Sequence, residues 1–268
     1  AAFADRPDAR PAAERVERSR RSGCGARIPC QSRTRPGACR RCAGHDAREP
    51  RGRRAGAVAM SRPLIISDCD EVLLYMVSPF RDWLGETQGV EFRMEGNDFS
   101  KALRWQDSGE YLAPEEIWRM LGGFFDTEMH RQTPIPGAIE GISALRDHAD
   151  VVILTNLVDK RQEMRKAQLL DHGLDARVFT NQGPKGPALQ AILDEYNPSK
   201  AIFIDDLAQH HRSARETVGT ITTLHLCGEP LLAPHIDCAH TSGHADARID
   251  SWDDALPWLL GELEKETA

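Results

Sequence analysis

The apolar run Leu64-Ile65-Ile66-Ser67 has the length of a strand and ends in two carboxylates, Asp68 and Asp70, with Cys69 between them. Strand side chains alternate, so the two aspartates share one side while Cys69 takes the other. A carboxylate buried at a strand end is costly unless something pairs with it. Two of them at one strand end point to a bound cation or to catalysis. Open α/β sheets bind their ligands at the carboxyl ends of the strands, which is where these groups stand.

Three later sites carry matching chemistry. Val151-Val152-Ile153-Leu154 runs into Thr155-Asn156, a hydroxyl followed by a free backbone N–H. Lys185, in Gly183-Pro184-Lys185-Gly186, opens a helical pattern, and a helix start favours anions. Ala201-Ile202-Phe203-Ile204 leads into Asp205-Asp206. Each has a bland reading alone: a turn, a solvated lysine, a helix cap. Together they bring Asp68, Asp70, Thr155, Asp205 and Asp206 to one sheet edge. Four carboxylates and one lysine share a site only if a divalent cation neutralises them. A donor set made of oxygens suits Mg²⁺.

The elements that must position these groups form an alternating pattern. Leu64–Ser67, Val151–Thr155, Arg177–Thr180, Ala201–Asp205 and Thr222–Leu226 read as strands, several apolar on both faces as buried parallel strands are. Helical spacing covers Ala138–His148, Asp159–His172 with a C-cap at Gly173, Ala188–Tyr196 and Leu207–Val218. Such a βαβ alternation predicts an α/β fold, a doubly wound parallel sheet with helices on both faces. The stretch between the first two strands is too long for a crossover. Within it Pro79–Thr87, Asp98–Trp105 and Pro114–Phe125 read as helices. Residues 76–134 are therefore expected to form a helical cap over the ligand edge. The α/β core takes residues 60–75 and 135–268, and Thr133-Pro134-Ile135-Pro136-Gly137 is a stiff return.

In this order and spacing the motifs resemble the haloacid dehalogenase (HAD) superfamily, in the subgroup whose helical cap follows the first strand. The resemblance spans residues 63–267 and implies a Rossmann-like core. It implies Asp68 as a nucleophile and Asp70 as the acid/base. Thr155, Asn156 and Lys185 would hold phosphate oxygens. Asp68, Asp205, Asp206 and Asp70, the last through its backbone carbonyl, would hold Mg²⁺. Two positions depart from the pattern: Glu71 stands where many members have Gly, and His210 where many have Asn or Asp. The implied activity is Mg²⁺-dependent hydrolysis of a small phosphorylated substrate through an aspartyl-phosphate. A haloacid dehalogenase, in which the aspartate attacks carbon, is the alternative enzyme, and a phospholigand-binding module without turnover is the alternative outside enzymes. The dehalogenase would have little use for Mg²⁺ or for an acid at Asp70.

Charge divides the chain near Met60. Residues 1–59 hold fifteen Arg, no Lys and six acids, while the whole chain carries −7. The remainder is therefore strongly acidic, which speaks against a nucleic-acid partner. The Arg-rich stretch lacks apolar periodicity and is expected to be a disordered leader outside the native protein, with Met60 as the natural start. Its Cys39-Arg-Arg-Cys42 pair, with Cys24, Cys30 and His45, has no apolar residues to pack around a zinc ion. No apolar run approaches membrane-spanning length, so no membrane partner is expected. Cys69, Cys227 and Cys238 suit a reducing cytoplasm. His235, Asp237, Cys238, His240 and His244 have ligand-like spacing but lie among Pro, Gly, Ser and Thr, as a surface loop does. His130 and Arg131 either reach the substrate from the cap or sit on a solvated helix end.

Overall fold

The computed structural model describes residues 61–265. The expectations for residues 1–59 lie outside the described residues. In chain order the elements are β1 (Leu64–Ser67), α1 (Val77–Trp83), β2 (Val90–Phe92), β3 (Leu103–Trp105), α2 (Pro114–Thr127), α3 (Ala138–Leu145), β4 (Asp150–Thr155), α4 (Gln162–Asp171), β5 (Arg177–Thr180), α5 (Gly186–Tyr196), β6 (Ala201–Asp205), α6 (Ala208–Thr217), β7 (Thr222–His225), β8 (Ala247–Arg248) and α7 (Trp252–Glu264).

Among the described residues, six strands form one parallel sheet in the order β5-β4-β1-β6-β7-β8. From β1 the chain builds outward to β4 and β5, then returns to place β6 on the other side of β1. The strand order reverses there, which is where doubly wound sheets bind ligands. Strand alternation splits the core. Ile65, Ile153 and Ile202 pack with Ile142, Leu169 and Trp252, from α3, α4 and α7. Leu64, Ile66 and Phe203 pack on the opposite face with Leu189, Ile192 and Ala214, from α5 and α6. The fold is thus α/β, a Rossmann-like doubly wound sheet with a cap inserted after β1.

The cap is less purely helical than its sequence suggests. The stretch Asp98–Trp105, expected as a helix, is a short 3₁₀ turn followed by β3. The Asp98 side chain accepts from the Ser100 N–H at 3.1 Å and ends the helical tendency after one turn. β3 then pairs antiparallel with β2, setting Val90 opposite Trp105 and Phe92 opposite Leu103. Helix α1 passes into a π-helical turn at Leu84–Gln88, which stops at Gly89 in the left-handed region, φ 63°. Phe80, Trp83 and Phe124 pack edge-on and tilted in the cap interior. The two chain connections to the core run side by side, with the Tyr75 N–H donating to the Thr133 carbonyl at 3.0 Å.

Gly186 at the start of α5 lies directly against α6. A Cβ built there would lie 2.3 Å from Thr217 Oγ1 and 2.4 Å from the Ser213 carbonyl of α6. Gly261 in α7 has nothing within 4 Å of the same position. Gly186→Ala should therefore cost about 1–3 kcal/mol through overpacking. Gly261→Ala should be neutral or gain up to about 1 kcal/mol through helix propensity. Chemical denaturation of both variants checks the contrast.

Candidate active site

The carboxyl ends of β1, β4 and β6 converge at the reversal point. Asp68 directly follows β1, and its backbone N–H donates to the Ile204 carbonyl of β6 at 2.8 Å. Lys185, the residue before α5, is fully buried and reaches between the strands. Its Nζ lies 2.8 Å from Asp68 Oδ1 and 2.7 Å from Asp205 Oδ2. Asp206 completes a group of three buried carboxylates, with ligand oxygens of Asp68, Asp205 and Asp206 all within 4.8 Å of one another.

One ammonium against three buried carboxylates leaves the site short of positive charge. Burial pushes the Asp68 carboxyl up to about 7 despite Lys185. Burial, then Asp205 and Asp68, push Asp206 well above the usual carboxylate range. Burial acts on Asp205 too, but the Lys185 ammonium holds it low. The oxygen donors, their closeness and their unmet charge fit a hard divalent cation such as Mg²⁺. Cys69 is no rival nucleophile, because burial pushes its thiol up to about 12.

Asp70 stands apart from the three. Its Oδ1 and Oδ2 accept from one guanidinium nitrogen of Arg165 at 2.8 and 3.0 Å, and Oδ1 also accepts from Gln132 Nε2 at 2.7 Å. Arg165, on α4, is fully buried and gives its other terminal nitrogen to Cys69 Sγ at 3.1 Å. Gln132 also donates to the Tyr75 carbonyl at 3.3 Å, so Asp70 is tied to both cap connections. Sequence reasoning missed both partners. A signal for Arg165 exists: it lies four residues before Leu169, on the apolar stripe of its helix, where a charge needs a buried partner.

Thr155 is completely buried, and its hydroxyl has no hydrogen-bond partner among the described residues. An orphaned buried hydroxyl at a strand end is a donor awaiting an acceptor. The Asn156 amide donates to the Gly183 carbonyl at 3.0 Å and accepts from Asn181 Nδ2 at 2.8 Å, which fixes the loop before Lys185. His210, flagged as a departure, faces Asn156 with 3.4 Å between Nε2 and Nδ2. Burial pushes its imidazole down to about 4, so it is neutral and adds no charge.

Glu71, the second departure, keeps the turn that Gly would make, at φ 61°. Its Oε1 accepts from the Met76 and Val77 N–H groups at 3.0 and 2.6 Å. These bonds offset the backbone strain and hold the start of α1 against the loop after β1. Burial raises the Glu71 carboxyl well above its usual range.

Asp68, Asp70 and Asp206 form the floor of a cavity of about 400 Å³ between the sheet edge and the cap. Trp118, Leu121 and Phe125 of α2 line its cap side. His130 and Arg131 are not among its lining residues. Arg131 is instead paired with Glu86 and Glu128 on the cap surface. The residues from His235 to His244 form no metal-like group among the described residues.

No family model matches the chain, and no curated protein matches it by sequence. Solved structures do match its fold. A HAD family hydrolase from Deinococcus radiodurans, determined with bound phosphate and sodium, is 19% identical with a TM-score of 0.53, covering 77% of this chain and 97% of that one. A haloacid dehalogenase-like protein of unknown function from Agrobacterium tumefaciens is 17% identical with a TM-score of 0.52, covering 75% and 99%. A haloacid dehalogenase-like hydrolase from Streptococcus pneumoniae is 14% identical with a TM-score of 0.51, covering 76% and 100%. The chain has the haloacid dehalogenase-like fold. Within it, the cap is the insert between β1 and β4.

Two outcomes are expected from the charge balance. Asp68 is shifted from about 3.8 to about 7, so the folded state binds its proton more tightly than the unfolded state does. Stability from this group is full below pH 3.8 and is lost as pH rises through about 7. In chelator, Tm should therefore fall from pH 5.5 to pH 8, and Mg²⁺ should restore more of it at pH 8. Thermal melts at the two pH values check this. Separately, Asp70→Ala would strand the buried Arg165 and should cost about 3–5 kcal/mol, whereas Asp70→Asn keeps an acceptor oxygen and should cost less. Urea unfolding compares them.

Proposed function

We propose that this chain is a Mg²⁺-dependent phosphomonoesterase of the HAD superfamily, acting on a small phosphorylated metabolite. One observation carries the reading: Lys185 buried between Asp68 and Asp205, with Asp206 beside them and a cavity opening above Asp68. A carboxylate that attacks an anionic phosphate needs opposing charge nearby, which Lys185 and a bound cation together would supply.

Asp68, Asp205 and Asp206 would hold the ion, together with the Asp70 backbone carbonyl. The bound ion would supply charge neutralisation for the phosphate and for the carboxylates themselves. Lys185 holds Asp68 in place for attack through its 2.8 Å contact. In the first step a carboxylate oxygen of Asp68 bonds to phosphorus as the bond to the leaving oxygen breaks. Asp70 delivers a proton to that oxygen, then takes one from the water that hydrolyses the aspartyl-phosphate. Phosphate leaves and Asp68 is regenerated. The Thr155 hydroxyl and the Asn156 N–H would bind the phosphoryl oxygens, which gives the orphaned hydroxyl its partner.

Asp68→Asn should lower turnover of p-nitrophenyl phosphate by at least about three orders of magnitude while the protein stays folded. Excess chelator on the unaltered protein should do the same, and added Mg²⁺ should reverse it. Undiminished hydrolysis in chelator contradicts the reading. So does chloride release from a 2-chloroacid without Mg²⁺, which would mark Asp68 as attacking carbon.

A further inference from the structure

The cavity above the carboxylates is built from apolar side chains, and that bears on which phosphoester it takes. On α2, Trp118, Leu121 and Phe125 fall at i, i+3 and i+7, a single stripe facing the core. Met76 at the end of the cap connection and Leu157 and Leu232 from the core close the remaining sides. All of these but Trp118 are buried.

The charged groups at this wall are already committed. Lys160 Nζ and Arg161 Nε lie 3.2 and 2.8 Å from the two oxygens of Asp126 on α2. Arg161 also donates to the Gly122 carbonyl at 2.9 Å. These bonds join the core to the cap and leave neither cation unpaired for a second anionic group. Asn156 is held by the Gly183 and Asn181 contacts, His210 is neutral and beside the floor, and Gln182 alone adds an exposed amide to the lining away from the α2 stripe. A polyol would bring several hydroxyls against this stripe, and each hydroxyl left without a partner costs binding free energy. An alkyl or aryl group loses nothing there and gains by leaving water.

We propose that the site takes a phosphomonoester whose organic part is an apolar alkyl or aryl group. A sugar or another polyol is excluded from that role. The proposal rests on the phosphatase reading for the ester bond and on the cavity alone for the apolar part.

Ethyl, butyl and hexyl phosphate leave as alcohols of closely similar acidity, so their kcat/KM values compare burial of the chain. With Mg²⁺ present, kcat/KM should rise about fourfold per methylene, and glucose 6-phosphate should fall at least about 100-fold below hexyl phosphate. The matching alkylphosphonates, which cannot be hydrolysed, should show a parallel rise in affinity by calorimetry. Leu121→Asn should flatten both series. If that variant does not fold, Trp118→Ala, at a half-buried position, should flatten them in its place. Series that are flat in turnover and in binding, or a preference for glucose 6-phosphate, would overturn the proposal. A phosphonate series that rises in affinity while no phosphoester turns over would uphold the apolar site and overturn the phosphatase reading.

Discussion

The structure depends on one buried ammonium. Lys185 lies with no exposed surface between Asp68 of β1 and Asp205 of β6. A lysine in that position is tolerated only because two carboxylates compensate its lost hydration. Those carboxylates are tolerated there in turn because of the lysine. The pairing therefore constrains more than charge. It requires β1 and β6 to be neighbours, α5 to start at the sheet edge, and Gly186 to let α5 close onto α6. The two 2.7–2.8 Å contacts set the spacing at the centre of the site.

The third carboxylate makes that arrangement incomplete. Asp206 is buried beside Asp68 and Asp205, and the lysine cannot neutralise all three. Three carboxylates against one ammonium make a donor set that suits a divalent cation. The same surplus would make it hostile to a phosphoester in that cation's absence. Asp70 is kept out of the surplus by Arg165 and Gln132. Two aspartates spaced two apart on one loop thus meet different environments, one among carboxylates and one against a guanidinium. The Gln132 contact also places that second environment beside the connections between cap and core.

Much of this was legible in the residues. β1 and β6 follow apolar runs whose carboxyl ends are marked by aspartates, so their limits stood out. The gathering of Asp68, Lys185, Asp205 and Asp206 at one edge followed from parallel strands presenting their carboxyl ends together. What stayed hidden depends on tertiary contacts. Asp98–Trp105 has helical spacing, but the Asp98 cap and the pairing with Val90–Phe92 override it. Arg165 stands on the apolar stripe of α4, but which carboxylate it meets emerges only once α4 is packed on the core with Asp70 beside it. β8 is only two residues long and carries no periodicity to detect. Glu71 at φ 61° shows how a departure in type can leave a turn intact when the side chain finds backbone donors.

The central claim is that Asp68 is the nucleophile that takes the phosphoryl group, within a site that works only with a divalent cation. The direct measurement is acid quenching during steady turnover of p-nitrophenyl phosphate, followed by peptide mass mapping of the trapped protein. The account predicts one phosphoryl group on the peptide containing Asp68, present with Mg²⁺ and lost in excess chelator. A phosphoryl group on any other residue, or brisk turnover with a trapped complex formed equally well in chelator, would contradict it.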